Sequence, residues 1–499
     1  MSFLPVIIQG GMGAGVSSWR LARAVSSTGQ LGVVSGTALD AILARRLQEG
    51  DPGGHMRFAL GHFPSQEIAG RILDKYFIPG GKPADAPYKP VPMHSAKPCP
   101  ALIELTMASN FVEIFLARQE HDNPVGINYL EKLQLPHLAS IYGAMLAGVG
   151  YVLMGAGIPL KIPGVLDAYV NHGSAEYPLY VSGAIDSDDF KVKFNPREYL
   201  DLDLRPLTRP KFLPIIASNV LAMTLIKKAN GHVDGFIVEG PTAGGHNAPP
   251  RGKMQFDADG EVIYGERDVV DLEKLHGLGL PFWLAGGYGS PVKVAEALAA
   301  GAAGVQVGTA FALTDESDLE SESKRELLAQ VRQGTAKVLT DTLASPTGFP
   351  FKVAQLSNSQ TNAAVYARRE RVCDLGFLRE GYRTAAGTVD FRCPAEPEQV
   401  YLAKGGNPEM MAGRKCLCNA LVANIGMPQH RANGYCEPTL VTMGNDLTGL
   451  GRFLSEGREG YSAASVIGQL LTGVQAHEIA GASLFHCPPG ISTEHPQSV

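Results

Sequence analysis

The sequence predicts an α/β fold, a (β/α)8 barrel with a long insertion after its second strand and a C-terminal extension. Two observations carry this expectation. Eight short, almost wholly apolar runs each end in a turn or a polar stop, and helix-compatible segments lie between most of them. Strands buried on both faces are what a parallel sheet demands. An alternating count of eight favours a closed barrel over an open doubly wound sheet.

In chain order the strand candidates are residues 5–9, 31–34, 125–128, 151–154, 212–217, 235–238, 282–285 and 304–307. The first is followed by Gly10-Gly11-Met12-Gly13-Ala14-Gly15 and a helix over 18–27. A helix over 107–118 precedes the third, and the fifth and seventh lead into helices over 220–229 and 292–300. These elements place the barrel in residues 1–320. An insertion occupies about 40–122, and its Pro-, Gly- and Lys-rich stretch 78–100 is expected to be irregular. Residues 321–499 are expected to form a helical cap or lid, on helix signals at 322–333 and 462–472.

Bulk properties exclude several functions. The 499 residues carry a formal net charge of −6 and no Lys/Arg-rich stripe, so nucleic acid is not an expected partner. Seven cysteines at irregular spacings do not read as a secreted disulfide framework. The chain starts without a basic n-region, which gives no targeting signal and an expected cytoplasmic location. Residues 133–160 lack Asp, Glu, Lys and Arg, but Pro136, Gly143, Gly148, Gly150, Gly155, Gly157 and Pro159 interrupt them. A buried helix and a short strand fit that pattern better than a membrane span.

The strongest chemical signal is Glu239-Gly240-Pro241-Thr242-Ala243-Gly244-Gly245-His246-Asn247, directly after the sixth strand. Active sites of barrels are built from the loops at the C-terminal strand ends. Gly244 and Gly245 would let His246 approach a planar ligand closely, and an imidazole suits proton transfer near neutrality. Alone, such a histidine reads better as an ordinary loop residue. The loops after the seventh and eighth strands, Ala285-Gly286-Gly287-Tyr288-Gly289 and Gln306-Val307-Gly308-Thr309, change that balance. Loops at those two places often hold a phosphate on backbone N–H groups. The first turn crowds Gly10, Gly11, Gly13 and Gly15 together and does not give G-x-G-x-x-G, and only Asp40 stands near the place of a ribose-binding acid. A nicotinamide Rossmann domain is therefore disfavoured. The flat back of an isoalloxazine ring is the easier fit.

Taken together, Gln9-Gly10-Gly11-Met12-Gly13, Gly126-Ile127-Asn128, the stretch from Glu239 to His246, Ala285-Gly286-Gly287 and Gln306-Val307-Gly308-Thr309 resemble the 2-nitropropane dioxygenase/nitronate monooxygenase family over roughly residues 4–320. FabK-type and PfaD-like flavin enoyl reductases share its fold. The resemblance implies a TIM barrel holding non-covalent FMN, with His246 as catalytic base or proton donor. It implies that Gly11, Met12 and Asn128 contact the flavin ring or ribityl chain, and that Gly286, Gly287, Gly308 and Thr309 hold the phosphate. Gly244, Gly245 and Gln306 complete the expected cofactor site. The implied activity is oxidation of a small nitronate- or carbanion-type substrate by oxygen. The alternative is NAD(P)H-dependent reduction of an enoyl thioester, with an acyl carrier as partner. A homodimer is compatible with either.

The sequence departs from the shorter members of that family in its first motif, Gln-Gly-Gly-Met, and in its long insertion and tail. Cys416 and Cys418, with Cys393, His430 and Cys436 near in sequence, match no standard C-x2-C metal pair and are expected to be structural thiols, with no metal. Trp283 is expected to pack outward against a helix, and Glu316 to cap a helix or meet a cation.

Overall fold

A computed structural model describes residues 4–201, 205–454 and 458–484, the last ten of these by backbone only. Eight parallel strands close into a barrel: β1 (Ile7–Gln9), β2 (Leu31–Ser35), β3 (Val125–Leu130), β4 (Tyr151–Gly155), β5 (Lys211–Ile216), β6 (Phe236–Glu239), β7 (Phe282–Ala285) and β8 (Gly304–Val307). Each expected strand coincides with one of these within a few residues. The ring closes where β1 pairs β8, Ile8 opposite Gln306. Helices between the strands cover it: α1 (Trp19–Ser26), α2 (Pro100–Ala117), α3 (His137–Leu146), α4 (Ile162–Val170), α5 (Asn219–Lys228), α6 (Leu272–His276) and α7 (Pro291–Ala299). Ser18, Ser218, Asp271 and Ser290 cap four of them, each side chain accepting a first-turn N–H.

Strand alternation sorts the apolar side chains. Ile8, Leu31, Val33, Leu153, Leu213, Ile237 and Trp283 meet in one cluster inside the barrel, separate from the larger cluster beneath the helices. Trp283 therefore points inward rather than outward. Its fully buried indole N–H donates to the Pro5 carbonyl at 2.7 Å, which satisfies the one polar atom that an interior Trp brings.

α2 is long and apolar enough by length and composition to cross a membrane. Here it is packed between α1 and α3 and mostly buried. The expected insertion at 40–122 thus ends in a helix of the barrel itself. Its remaining helices are Leu39–Gln48, His55–Leu60 and Gln66–Tyr76, followed by the irregular stretch before Pro100. A further excursion between α4 and β5 forms the hairpin Ala175–Pro178/Lys191–Phe194.

The C-terminal part is only partly helical. Helix Ser321–Gln333 forms where expected. Beyond it, Val338–Asp341 and Phe351–Ala354 build a sheet with Gly245–His246, and Glu380–Arg383 and Val389–Arg392 build another with Val181–Ser182. The chain then returns to the barrel. Helix α8 (Ala463–Leu484) packs against α7 and α1, in the place of the helix that follows the eighth strand. Glu316, just past β8, accepts the Ala463 N–H at 2.9 Å and caps it. Residues 309–462 are thus an insertion between β8 and its own helix.

α8 lies so close to α7 that a Cβ on Gly473 would stand 2.1 Å from the Pro291 carbonyl oxygen. Gly473→Val is expected to lower stability by about 1–3 kcal/mol through overpacking. Urea titration should give a lower midpoint at unchanged slope; an unaltered midpoint would place the helix elsewhere.

Candidate functional site

The first βα turn is shaped by two side chains. Gln9, buried at the end of β1, accepts the Val33 N–H at 3.1 Å and donates to Ser17 Oγ at 3.0 Å. Ser17 Oγ in turn accepts the Met12 N–H at 3.0 Å and donates to the Gly10 carbonyl at 3.1 Å. The loop is thereby folded back over the barrel mouth, with Gly11 against Asn128 at so short a distance that a Cβ would come within 2.5 Å of Asn128 Cβ.

Gly11, Met12, Asn128, Gly244, Gly245, His246, Gly286, Gly287, Gln306, Gly308 and Thr309 all line one cavity at the C-terminal strand ends. These are all the residues singled out as site candidates in the sequence. Glu239, Thr242, Tyr288, Leu417, Cys418 and Met443 join them from the barrel loops and the 309–462 insertion, and sequence reasoning missed them as site residues.

The insertion fixes His246. Gly245 and His246 pair antiparallel with Lys352 and Phe351, and the imidazole meets the Phe351 ring edge-on, centroids 4.8 Å apart. Its Nε2 shares a 2.7 Å hydrogen bond with Ser345 Oγ, which is 2.8 Å from Thr347 Oγ1. Gly245 N–H donates to Thr442 Oγ1 and Gly444 N–H to Thr309 Oγ1. A Cβ on Gly244 would meet the Met443 carbonyl carbon at 2.8 Å. Two stretches about 100 and 200 residues downstream therefore clamp the loop that carries His246.

Burial lowers the His246 pKa to about 3, and the nearby Lys132 charge pushes the same way. The imidazole is neutral at pH 7 and acts as a hydrogen-bond donor or a weak base. Lys132, just past β3, is itself lowered to about 7 by burial, and its ammonium lies over the Phe349 ring without a hydrogen-bond acceptor. Glu239, at the tip of β6, is raised to about 8 by burial and is protonated near neutrality. Gln306 Oε1 is buried in the cavity wall with no donor.

An imidazole, a carboxyl group raised by burial and two glycine turns thus gather at the mouth of a parallel barrel roofed by its own insertion. Residues 210–343 match the family described as nitronate monooxygenase, and that stretch contains His246 and both glycine turns. Over that stretch the resemblance read from the motifs is borne out. A relative from Rhodococcus jostii (strain RHA1), described as (3aS,4S,5R,7aS)-5-hydroxy-7a-methyl-1-oxo-octahydro-1H-indene-4-carboxyl-CoA dehydrogenase, is 36% identical over 109 residues, 22% of this chain. The match spans 27% of that relative's length. Among solved structures, FabK from Thermotoga maritima is similar in fold at 17% identity and a TM-score of 0.47, with 96% of each chain covered. Nitroalkane oxidase from Streptomyces ansochromogenes is similar at 16% identity and a TM-score of 0.47, covering 96% of this chain and 98% of that one.

Proposed function

We propose that the protein is an FMN-dependent oxidoreductase that uses NAD(P)H to reduce a carbon–carbon double bond conjugated to a thioester carbonyl. The observation that carries the flavin assignment is the meeting of His246 with the turns Gly286-Gly287 and Gly308-Thr309 around one cavity. The unpartnered Gln306 Oε1 fits the group as well, since a flavin brings a ring N–H to such an acceptor. Gly286, Gly287, Gly308 and Thr309 would hold the phosphate, and Gly11, Met12, Asn128, Gly244, Gly245 and Gln306 the ring and ribityl chain. FMN, when bound, supplies hydride-transfer chemistry.

The thioester assignment rests on the apolar wall of the cavity, where Leu130, Leu133, Ile215, Phe377, Leu378 and Leu421 leave room for an acyl chain. The CoA ester in the name of the Rhodococcus relative supports it. In this reading His246 donates a hydrogen bond to the thioester oxygen as negative charge develops there. A neutral imidazole is suited to that role. Oxidation of a nitronate by oxygen is the second reading, favoured by the family description. A nitronate arrives as an anion and needs the same donor. Abstraction of a proton from a neutral nitroalkane would need a stronger base than an imidazole held near 3.

Two measurements test the assignment. The purified protein should absorb near about 450 nm, as oxidised flavins do among redox cofactors; a colourless chain that refuses FMN ends the flavin reading. Anaerobic mixing with NADPH should bleach the flavin, and an enoyl thioester should restore its colour. A flavin that no nicotinamide reduces, in a protein that oxidises a nitronate, would instead establish the second reading.

Lys132 gives this chemistry a pH dependence. Its charge strengthens the neighbouring His246 N–H as a donor, and the ammonium is present only below its folded pKa of about 7. The rate of flavin reoxidation by the thioester should therefore fall as pH rises through about 7. Lys132→Met should run at the high-pH rate throughout, about tenfold below the wild-type plateau, equivalent to about 1.4 kcal/mol. A limb near pH 7 that persists in Lys132→Met would belong to another group.

A further inference from the structure

Four cysteines are gathered behind the wall of the candidate site. Cys373, Cys393, Cys416 and Cys418 all line one small cavity, and Cys418 also lines the large one. They arrive from three separate segments: Cys373 before the strand Glu380–Arg383, Cys393 directly after Val389–Arg392, and Cys416 and Cys418 at the start of helix Leu417–Ala423. None is in a disulfide. Cys373 is a member that sequence spacing did not suggest.

The surroundings leave sulfur as the chemistry of this cavity. Its exposed lining is almost wholly apolar. Its two charged side chains are engaged elsewhere. The Arg379 guanidinium donates to the carbonyls of Gly376 at 3.1 Å and His94 at 2.5 Å, and Glu396 accepts from Lys404 at 3.0 Å. One donor does turn toward sulfur: Asn419 Nδ2 lies 3.6 Å from Cys416 Sγ. Hydrogen bonds of that kind to ligand sulfurs are among the tuning contacts of iron–sulfur centres. An all-thiolate set selects zinc, copper(I) or an iron–sulfur cluster.

Among the described residues, no three His, Cys, Asp or Glu side chains are gathered tightly enough for a single ion. That geometry disfavours mononuclear zinc. A polynuclear cluster places its own irons and sulfides between the thiolates, so Cys416 and Cys418, whose side chains hydrogen-bond to each other here, would part to admit it. Cys393 is followed by Pro394, as the last cysteine of bacterial cluster-binding runs is. We propose that Cys373, Cys393, Cys416 and Cys418 ligate an iron–sulfur cluster beside the wall of the candidate site.

The test uses the full chain, purified without oxygen from iron-replete cells. Iron and acid-labile sulfide should be present in equal amounts, and dithionite should produce a low-temperature electron paramagnetic resonance signal. Cys393→Ala and Cys416→Ser should each lose the iron while keeping the roughly 450 nm flavin band, so the result is independent of the flavin assignment. Where a variant fails to fold, the wild-type metal and sulfide content decides alone. Zinc without iron, or a wild-type chain that holds no iron and takes up no cluster from ferrous iron and sulfide, overturns the proposal.

Discussion

His246→Ala is expected to keep its flavin, with an unshifted visible spectrum, and to turn over roughly 10²–10⁴-fold more slowly, the span typical of a lost acid–base or hydrogen-bonding group. The imidazole can be removed without opening the fold because the loop is held by other contacts. Gly245 N–H is bonded to Thr442, and the 245–246 strand pairs with Phe351 and Lys352 through backbone alone. The role of the side chain then separates by substrate. In the enoyl-thioester reading, flavin reduction by NADPH should proceed at the wild-type rate, while reoxidation by substrate carries the whole loss. His246→Gln, which keeps an N–H donor, should recover part of the rate if the imidazole donates, and none if it acts as a base. Equal slowing of both half-reactions would mean that His246 holds the cofactor rather than the substrate.

The barrel was legible because its signal is local. Each strand is buried on both faces, so apolar runs such as Phe236–Glu239 and Gly304–Val307 stand out without any partner being known. The glycine turns and His246 follow directly from those strand ends. What hid was everything specified by contacts distant in sequence. The strand Phe351–Ala354 carries Lys352, a residue that argues against a buried strand, yet its ammonium is satisfied by Glu261 at 3.0 Å, some 90 residues away. Ser345, which bonds His246, sits in no motif at all. The inward turn of Trp283 depends on strand phase, and the Pro5 carbonyl that receives its N–H belongs to the other end of the barrel segment. The same reasoning explains the C-terminal boundary. Helix α8 has the composition of any apolar helix, and only its seat between α7 and α1 makes it the barrel's own.

The phosphate assignment makes the second large prediction, at Gly286. Its φ is +89°, and a Cβ there would lie 3.0 Å from Ala243 N and 3.1 Å from the Gly240 carbonyl oxygen. A β-branched residue is a poor occupant of that backbone region on steric grounds. Left-handed backbone costs an L-residue roughly 1–2 kcal/mol before any clash is counted. The turn relieves both by moving, and in moving it withdraws the N–H groups proposed to meet the phosphate. Gly286→Val should therefore purify with little or no flavin and bind added FMN roughly 10²–10³-fold more weakly, about 3–4 kcal/mol at tenfold per 1.4 kcal/mol. Gly279→Val is the control. It has the same kind of backbone, φ +75°, but a Cβ there meets nothing within 4 Å and it lies outside the cavity lining. It should lose stability to a similar backbone cost and keep its flavin. If both variants retain FMN equally, the turn after β7 does not carry the phosphate, and the anion must be sought among the other loops of the barrel mouth.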